Sequence, residues 1–338
     1  MQIINNYSLR AHNTFGIDAR CHRFVELNTV GEVVDAVSEL TNLHHEPLLI
    51  VGSGSNLLLT GDYAGTVVHS AIQGMHVDFN GDDILVTAGS GMQWDHLAQR
   101  CTSNGWYGTE NLALIPGELG AAAVQNIGAY GAEAAQMVSS VEAVDLLDGS
   151  IHTLQTDACG YGYRESRFKH EWRGRYLITH VTLRLSRHFA PQLDYGNIRS
   201  ELERAGIHNP TAQQLRDVIA GIRRAKLPDP QVTGNAGSFF MNPVVKRTKL
   251  EELQHAYGDV PHYMVDNSLV KIPAAWLIEQ CGWKGRTLGH AAVHSRQPLV
   301  LVNLGAATGG DIVKLCQAIS HDVAQHFGIT LQPEVNIV

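Results

Sequence analysis

Apolar positions in the N-terminal part of the chain follow two rhythms, close alternation and helical spacing. Phe24-Val25-Glu26-Leu27 reads as a strand, and Val33, Val34, Val37 and Leu40 recur at helical intervals across Val30 to Leu40. Pro47-Leu48-Leu49-Ile50-Val51 predicts a buried strand that runs directly into Gly52-Ser53-Gly54-Ser55-Asn56. A further strand, Thr66-Val67-Val68, follows Gly65, and this βαβ-like opening ends near residue 71.

The next segment is richer in strands. Asp83 to Ala88 alternates, and Gly89-Ser90-Gly91 turns into a helical piece from Trp94 to Cys101. Leu112 to Ala135 is a long glycine- and alanine-rich stretch with almost no charge. Strands resume over Ser140 to Leu147, and Asp148-Gly149 is a hairpin signal ahead of Ile151-His152-Thr153-Leu154. Tyr176 to Leu185 alternates again. Helical spacing from Thr211 to Arg224 stops at Lys226-Leu227-Pro228-Asp229-Pro230, a proline-rich corner that suits a domain boundary. The last segment predicts a strand over Ser238 to Met241, helices near Ala274 to Cys281 and Ile312 to Phe327, and a strand over Leu299 to Asn303. Residues 329–338 read as an extended tail, and the whole pattern is α+β with mixed sheets.

Composition narrows the class. The 338 residues suffice for two or three domains, each with its own core. No apolar run approaches the roughly 18–20 residues that cross a bilayer, and the start shows no signal peptide, so a cytoplasmic protein is expected. The five scattered cysteines form no CxxC pair, which points to a reducing compartment without disulfides or a zinc site. Among the 18 histidines there is no HExxH or His-Cys cluster, and His44-His45 falls in a polar loop; no metal is expected. A formal net charge of −8 without a dense Lys/Arg block disfavours nucleic acid and anionic membranes as partners. An anionic ligand would have to be held by a few placed cations and by main-chain amides. A monomer is the expected state.

Two stretches carry candidate chemistry. Gly52-Ser53-Gly54-Ser55-Asn56 leaves a strand through small residues, a turn that exposes consecutive amides and lets a pyrophosphate come close. Taken alone it is equally a plain tight turn, and it lacks the GxGxxG spacing of a nicotinamide-binding βαβ unit. The second stretch is Ile115-Pro116-Gly117-Glu118-Leu119-Gly120-Ala121-Ala122-Ala123-Val124-Gln125-Asn126-Ile127-Gly128-Ala129-Tyr130-Gly131. Side chains this small leave room for a flat ligand against main chain, although a tightly packed turn and helix would look the same. Together the two favour a dinucleotide with a large ring system.

Asn13-Thr14-Phe15-Gly16-Ile17, the GSGSN turn and Asn126 to Gly131 resemble the signature of the UDP-N-acetylenolpyruvoylglucosamine reductase (MurB) family. The resemblance continues in order through Gly162-Tyr163-Arg164-Glu165-Ser166, Arg223 to Pro228, Asn235-Ala236-Gly237-Ser238-Phe239-Phe240, Gly289 to Asn303 and Gln332-Pro333-Glu334-Val335, covering essentially the whole chain. It implies an α+β fold: a vanillyl-alcohol-oxidase/PCMH-type FAD-binding domain of two α/β subdomains, plus a C-terminal α+β substrate-binding domain. The expected edges are 1–71, 72–212 and 213–338, with the tail 329–338 returning to the active site.

The resemblance also implies a reaction in peptidoglycan synthesis. NADPH reduces noncovalently bound FAD and leaves; UDP-N-acetylglucosamine enolpyruvate takes its place. Hydride then passes from flavin N5 to the terminal carbon of the double bond, and a protein acid protonates its neighbour to give UDP-N-acetylmuramate. Ser238 matches the proton donor, a poor acid in water that needs a network to relay its proton. Arg164 and Glu334 match the pair at the substrate carboxylate, the guanidinium stabilising the developing enolate and Glu334, in its acid form, adding a hydrogen bond. Gly52 to Asn56, Pro116, Gly117, Gly120, Asn126, Ile127, Gly128 and Tyr130 fall in the flavin-binding motifs. Tyr163, Lys226, Asn242, Tyr263, Lys284 and Gln297 match substrate contacts. Tyr195, in Leu193-Asp194-Tyr195-Gly196-Asn197, matches the tyrosine lid of the type I members.

Val124, Met241 and Glu165 stand where proline, lysine and aspartate are common in the family, and Met241 puts the electrostatics near the diphosphate in question. Two other classes compete. A related flavin oxidase would often carry a covalent histidine or cysteine, which the GSGSN region lacks, and would leave the GSFF and PEV motifs idle. A non-catalytic nucleotide-sugar module would have no need to keep Arg164, Ser238 and Glu334 together.

Overall fold

The computed structural model describes residues 1–42 and 46–338; the His44-His45 pair lies outside them. The chain forms two compact units, each drawn from separated segments. The first comprises Met1–Tyr7, Cys21–Ser53 and Ala64–Ala225, the second Ser8–Arg20, Gly54–Tyr63 and Lys226–Val338.

In the first unit, strands Gln2–Ser8, Arg20–Leu27, Tyr63–Ser70 and Leu48–Val51 form one sheet in that spatial order. Leu48–Val51 runs parallel to Tyr63–Ser70, with Val51 opposite His69. The helical spacing seen in the sequence becomes the helix Val30–Asn42, whose Val33, Ala36, Val37 and Leu40 bury against Val25, Leu27 and Val68. Leu48 to Val51 are only half-buried, because this strand lies at the sheet edge; the fully buried strand expected there is not formed.

A second, antiparallel sheet orders Ile151–Gln155, Val138–Asp145, Tyr176–Ser186, Asp83–Gly89 and Met75–Asn80. Alternation is visible in Tyr176–Ser186, where Val181, Leu183 and Leu185 point inward and are at most 2% exposed. Against this face pack the helices Trp94–Ser103 and Leu119–Gln125, through Trp94, Leu97, Ala98, Leu119, Ala122 and Ala123. A separate cluster joins Ile198 and Leu202 of helix Ile198–Arg204 to Leu215, Ile219 and Ile222 of helix Ala212–Lys226, with Tyr130 at its margin.

The second unit holds the antiparallel sheet Asn235–Ser238, Val300–Asn303, Ala291–Val293, Thr287–Leu288, and a three-stranded sheet of Val244–Lys246, Leu269–Lys271 and Tyr263–Met264. Helix Gly309–Phe327 begins with a capping box, Thr308 Oγ1 accepting from the Asp311 amide at 3.2 Å and Asp311 Oδ2 accepting from the Thr308 amide at 3.0 Å. The tail is partly a strand: Asn336–Ile337 pairs in parallel with Leu57–Leu58. The strand expected over Ser238 to Met241 sits earlier, at Asn235–Ser238, and its register breaks at a bulge. Phe239 and Phe240 follow as core residues.

Among the described residues, no helix is long and apolar enough to cross a membrane, no disulfide forms, and no group of His, Cys, Asp or Glu could hold a metal.

The Asn13-Thr14-Phe15-Gly16-Ile17 motif has a structural task. Asn13 is buried; its Nδ2 donates to Leu9 O (2.9 Å) and Ile17 O (3.0 Å), and its Oδ1 accepts from the Ile17 amide (2.8 Å). Asn13→Ala would strand these buried main-chain groups, so it is expected to cost about 3 kcal/mol of stability. Urea unfolding with an unchanged slope checks this.

Candidate active site

The first unit positions Arg164 through local geometry. Gly162 and Glu165 exchange two main-chain hydrogen bonds (3.0 and 3.1 Å), leaving Tyr163 and Arg164 at the tip of a tight turn. Arg164 takes φ +59°, as the second central position of a type II turn requires and as few non-glycine residues do. Lys169 Nζ donates to Arg164 O at 2.6 Å and so holds that conformation. The guanidinium donates to Asn126 O (3.4 Å) and to Gly128 O, and its centre lies 5.3 Å from the Tyr163 ring. A β-carbon at Gly128 would come within 2.5 Å of Arg164 Nη1, so glycine there is what admits the guanidinium.

Asn126 anchors this arrangement. Its side chain is fully buried, donating to Gly162 O (2.7 Å) and Glu133 Oε2 (3.0 Å) and accepting from the Ala135 amide (2.9 Å). The Asn126 side chain thus faces the protein, not outward. Ile127 is likewise tied at both ends of its peptide, to Ala122 O and from the Ala134 amide.

Arg223 lies in the Arg223 to Pro228 motif, and the family resemblance implies no role for it. Its Nε donates to Leu114 O at 3.3 Å. Burial lowers its pKa, the charges of Tyr130 and Asp95 act to raise it, and the neighbouring Arg164 lowers it further. Burial also raises the Tyr130 pKa. The adjacent carboxylate, Asp95, is committed to the Leu114 amide and to Arg216. Arg164 and Arg223 thus lie within electrostatic reach of each other, beside the Tyr130 phenol. Tyr195 stands edge-on to Tyr130 (6.4 Å, 81°) and is 41% exposed, while Asn111 Nδ2 bonds both Tyr130 O (2.8 Å) and Gln192 O (3.0 Å), linking that loop to Tyr130.

Two observations bear on a dinucleotide. No amide from Ser53 to Asn56 donates to a protein acceptor among the described residues, leaving four consecutive donors in the GSGSN turn. Gln125 Nε2, at the end of the glycine-alanine helix, is buried with no hydrogen-bond partner among the described residues. Donors of this kind fit a pyrophosphate and a polar ring edge. Smallness in these motifs also serves internal packing: a β-carbon on Gly54 would sit 1.9 Å from His12 O. Gly117 O accepts from the Trp94 amide, and the Gly120 amide donates to Ser90 O; Pro116 is exposed.

The second unit places Ser238 after the bulge. The Phe239 amide donates to Leu299 O at 2.7 Å, and no hydrogen bond occupies the Ser238 hydroxyl among the described residues. The returning tail runs beside it: the Glu334 amide donates to Phe239 O (2.8 Å), and the Met241 amide to Gln332 O (2.9 Å). Asn56 Nδ2 donates to Glu334 O at 3.1 Å. Ser238, Glu334 and Asn56 are therefore brought together. Gln297 is close in sequence to Leu299, whose amide it accepts at 3.4 Å. Asn242 Oδ1 caps helix Ala274–Gln280 through the Ala274 amide (2.9 Å). Lys226 and Tyr263 are exposed, and Lys284 pairs with Glu279 at 2.7 Å on the surface.

Comparison with known proteins finds matches in both parts of the chain. Residues 22–155 match the family model of the FAD binding domain, and residues 229–338 match that of the UDP-N-acetylenolpyruvoylglucosamine reductase C-terminal domain. A UDP-N-acetylenolpyruvoylglucosamine reductase of Bacteroides fragilis (strain YCH46) is 48% identical over 334 residues, 98% of this chain and 99% of its own. The chain belongs to the UDP-N-acetylenolpyruvoylglucosamine reductase family. The Pseudomonas aeruginosa reductase is 44% identical over 338 residues, covering 100% of this chain and 99% of that one. The crystal structure of the Thermus caldophilus family member shares the fold, with a TM-score of 0.67 at 22% identity over 99% and 98% of the two chains. This reductase is therefore an FAD-binding oxidoreductase with a flavin domain and a C-terminal α+β domain.

Gly128→Ala is expected to push Arg164 aside and lower reductase turnover about a hundredfold, because small displacements of a charge-stabilising group are costly. Flavin content should hold. Turnover and flavin absorbance measured on the same preparation check this, and unchanged turnover would separate Arg164 from the chemistry.

Proposed function

We propose that the protein reduces UDP-N-acetylglucosamine enolpyruvate to UDP-N-acetylmuramate in peptidoglycan synthesis, with NADPH as electron source. We place it in the cytoplasm as a monomer, with domain edges at 1–71, 72–212 and 213–338. The observation that carries the reading is the return of the tail to the serine: the Glu334 amide donates to the carbonyl of Phe239, the residue after Ser238, whose hydroxyl has no hydrogen bond among the described residues.

Held by the two amide-rich motifs, FAD would supply the hydride-transfer chemistry between the nicotinamide and the substrate's double bond. The remaining work belongs to side chains. As the π pair moves onto the neighbouring carbon, the substrate carboxylate becomes part of an enolate. Arg164 compensates that growing charge, held by Lys169 and the Gly128 main chain in the orientation it needs. Glu334 adds a hydrogen bond at the same carboxylate. The Ser238 hydroxyl delivers the proton to the carbon bearing the ether oxygen and regains one from solvent. Lys226 serves the diphosphate as a mobile point charge, and Asn242, Lys284 and Gln297 add polar contacts. Tyr163, Tyr195 and Tyr263 supply aromatic surface; Tyr195 and Tyr263 are exposed enough to close over a nucleotide. The two amide-rich motifs hold the cofactor, with Pro116, Gly117 and Gly120 in the second.

Ser238→Ala is expected to accept electrons from NADPH at the normal rate but to pass them to the enolpyruvyl substrate about 10²–10⁴ times more slowly, the usual contribution of a general acid. Stopped-flow absorbance of each half-reaction separates the two; normal reoxidation would remove Ser238 as the acid. Arg164→Lys should lose about 10²–10³-fold in the second half-reaction while keeping its flavin, since an ammonium cannot copy the planar two-point contact.

A further inference from the structure

A relay of three ionisable side chains, His69 and Glu118 buried and Glu26 half-buried, lies behind the GSGSN turn, and nothing in the proposed chemistry uses it. His69, at the end of strand Tyr63–Ser70, is 7% exposed. Its Nδ1 lies 3.2 Å from Glu26 Oε2, and its Nε2 lies 3.1 Å from Glu118 Oε2. Glu118 is itself 6% exposed and stands immediately before helix Leu119–Gln125. The relay touches the turn at two points. His69 is the sheet partner of Val51, the residue before Gly52, and a β-carbon on Gly52 would come within 3.0 Å of Glu118 Oε2.

We propose that Glu26, His69 and Glu118 act as positioning residues that brace the Gly52 turn for FAD, and that the brace holds while His69 carries both ring protons. The proposal rests on the reading of the GSGSN turn as part of the cofactor site.

An imidazolium donates from both nitrogens and satisfies both carboxylates; a neutral imidazole donates from one, so the other carboxylate faces a lone pair. Losing the proton also removes a positive charge from between two carboxylates beside a turn that receives a pyrophosphate. Among the described residues, Glu26 from strand Arg20–Leu27 and Glu118 are the charged groups that act on His69, and the Phe24 ring packs at 6.3 Å. Burial by itself lowers the His69 pKa, but the two carboxylates outweigh it and the net shift is upward. A raised value means the braced form is complete below the ordinary histidine range and is lost as pH rises through the folded-state value.

The test uses the yellow holoenzyme, diluted into buffers from about pH 6 to about pH 9, with FAD release followed by the rise of free-flavin fluorescence. Release should accelerate about tenfold across that range. Glu26→Gln removes one of the two charges that hold the proton, so its release profile should keep its shape with a midpoint at lower pH. His69→Gln should release FAD at one pH-independent rate near the fast limit, with thermal unfolding confirming that it is folded. A flat wild-type profile, or a Glu26→Gln profile whose midpoint has not moved, would overturn the relay while leaving the flavin reading intact. A wild-type protein that holds no FAD at any pH would overturn both.

Discussion

The side chain of Asn126 is fully buried and spends its amide on three separate pieces of the first unit: the Gly162 carbonyl, the Glu133 carboxylate and the Ala135 amide. Each of those groups is costly to leave unmet inside the protein, about 1–3 kcal/mol apiece. The asparagine also takes φ +46°, ending helix Leu119–Gln125 and turning the chain into the Gly128–Ala129 strand. One residue thereby fixes the end of the glycine-alanine motif against the turn that carries Arg164. The position of that guanidinium is thus a consequence of main-chain packing, and Gly128 and Lys169 complete the constraint.

Electrostatics follows the same economy. The chain as a whole is acidic, at a formal −8, so no broad positive field draws an anion to it. Positive charge instead comes together where Arg164 and Arg223 act on each other, and Asp95, which acts on Arg223, also accepts from Arg216 and from the Leu114 amide. Around the GSGSN turn the donors are amides. Placed donors can hold an anion with little non-specific attraction of others.

Much of the fold was legible because local and global signals agree. Asp148-Gly149 turns between Val138–Asp145 and Ile151–Gln155 with Gly149 at φ +77°, and the spacing from Thr211 became the helix Ala212–Lys226. Strands Gln2–Ser8 and Met75–Asn80 were not read: both lie at sheet edges, the first carries little apolar alternation, and the second alternates over only Met75, Val77 and Phe79, of which Phe79 is 57% exposed. Helix Arg247–Tyr257 escaped because it buries only Leu250 and Leu253. Nothing in a linear pattern shows that Ser8–Arg20 and Gly54–Tyr63 pack with the C-terminal segment. At the site, the motifs carrying Arg164, Ser238 and Glu334 were visible, but the left-handed turn under Arg164 was not. Neither was the relay at His69, which reads in sequence as one histidine among many.

The central claim is that electrons enter on a bound flavin and leave only to an enolpyruvyl carbon–carbon double bond. Anaerobic spectrophotometric titration of the wild-type protein tests it most directly. The account predicts that one equivalent of NADPH removes the flavin absorbance and one equivalent of UDP-N-acetylglucosamine enolpyruvate restores it. A flavin that stays reduced with that substrate and recovers only when oxygen is admitted would contradict the account.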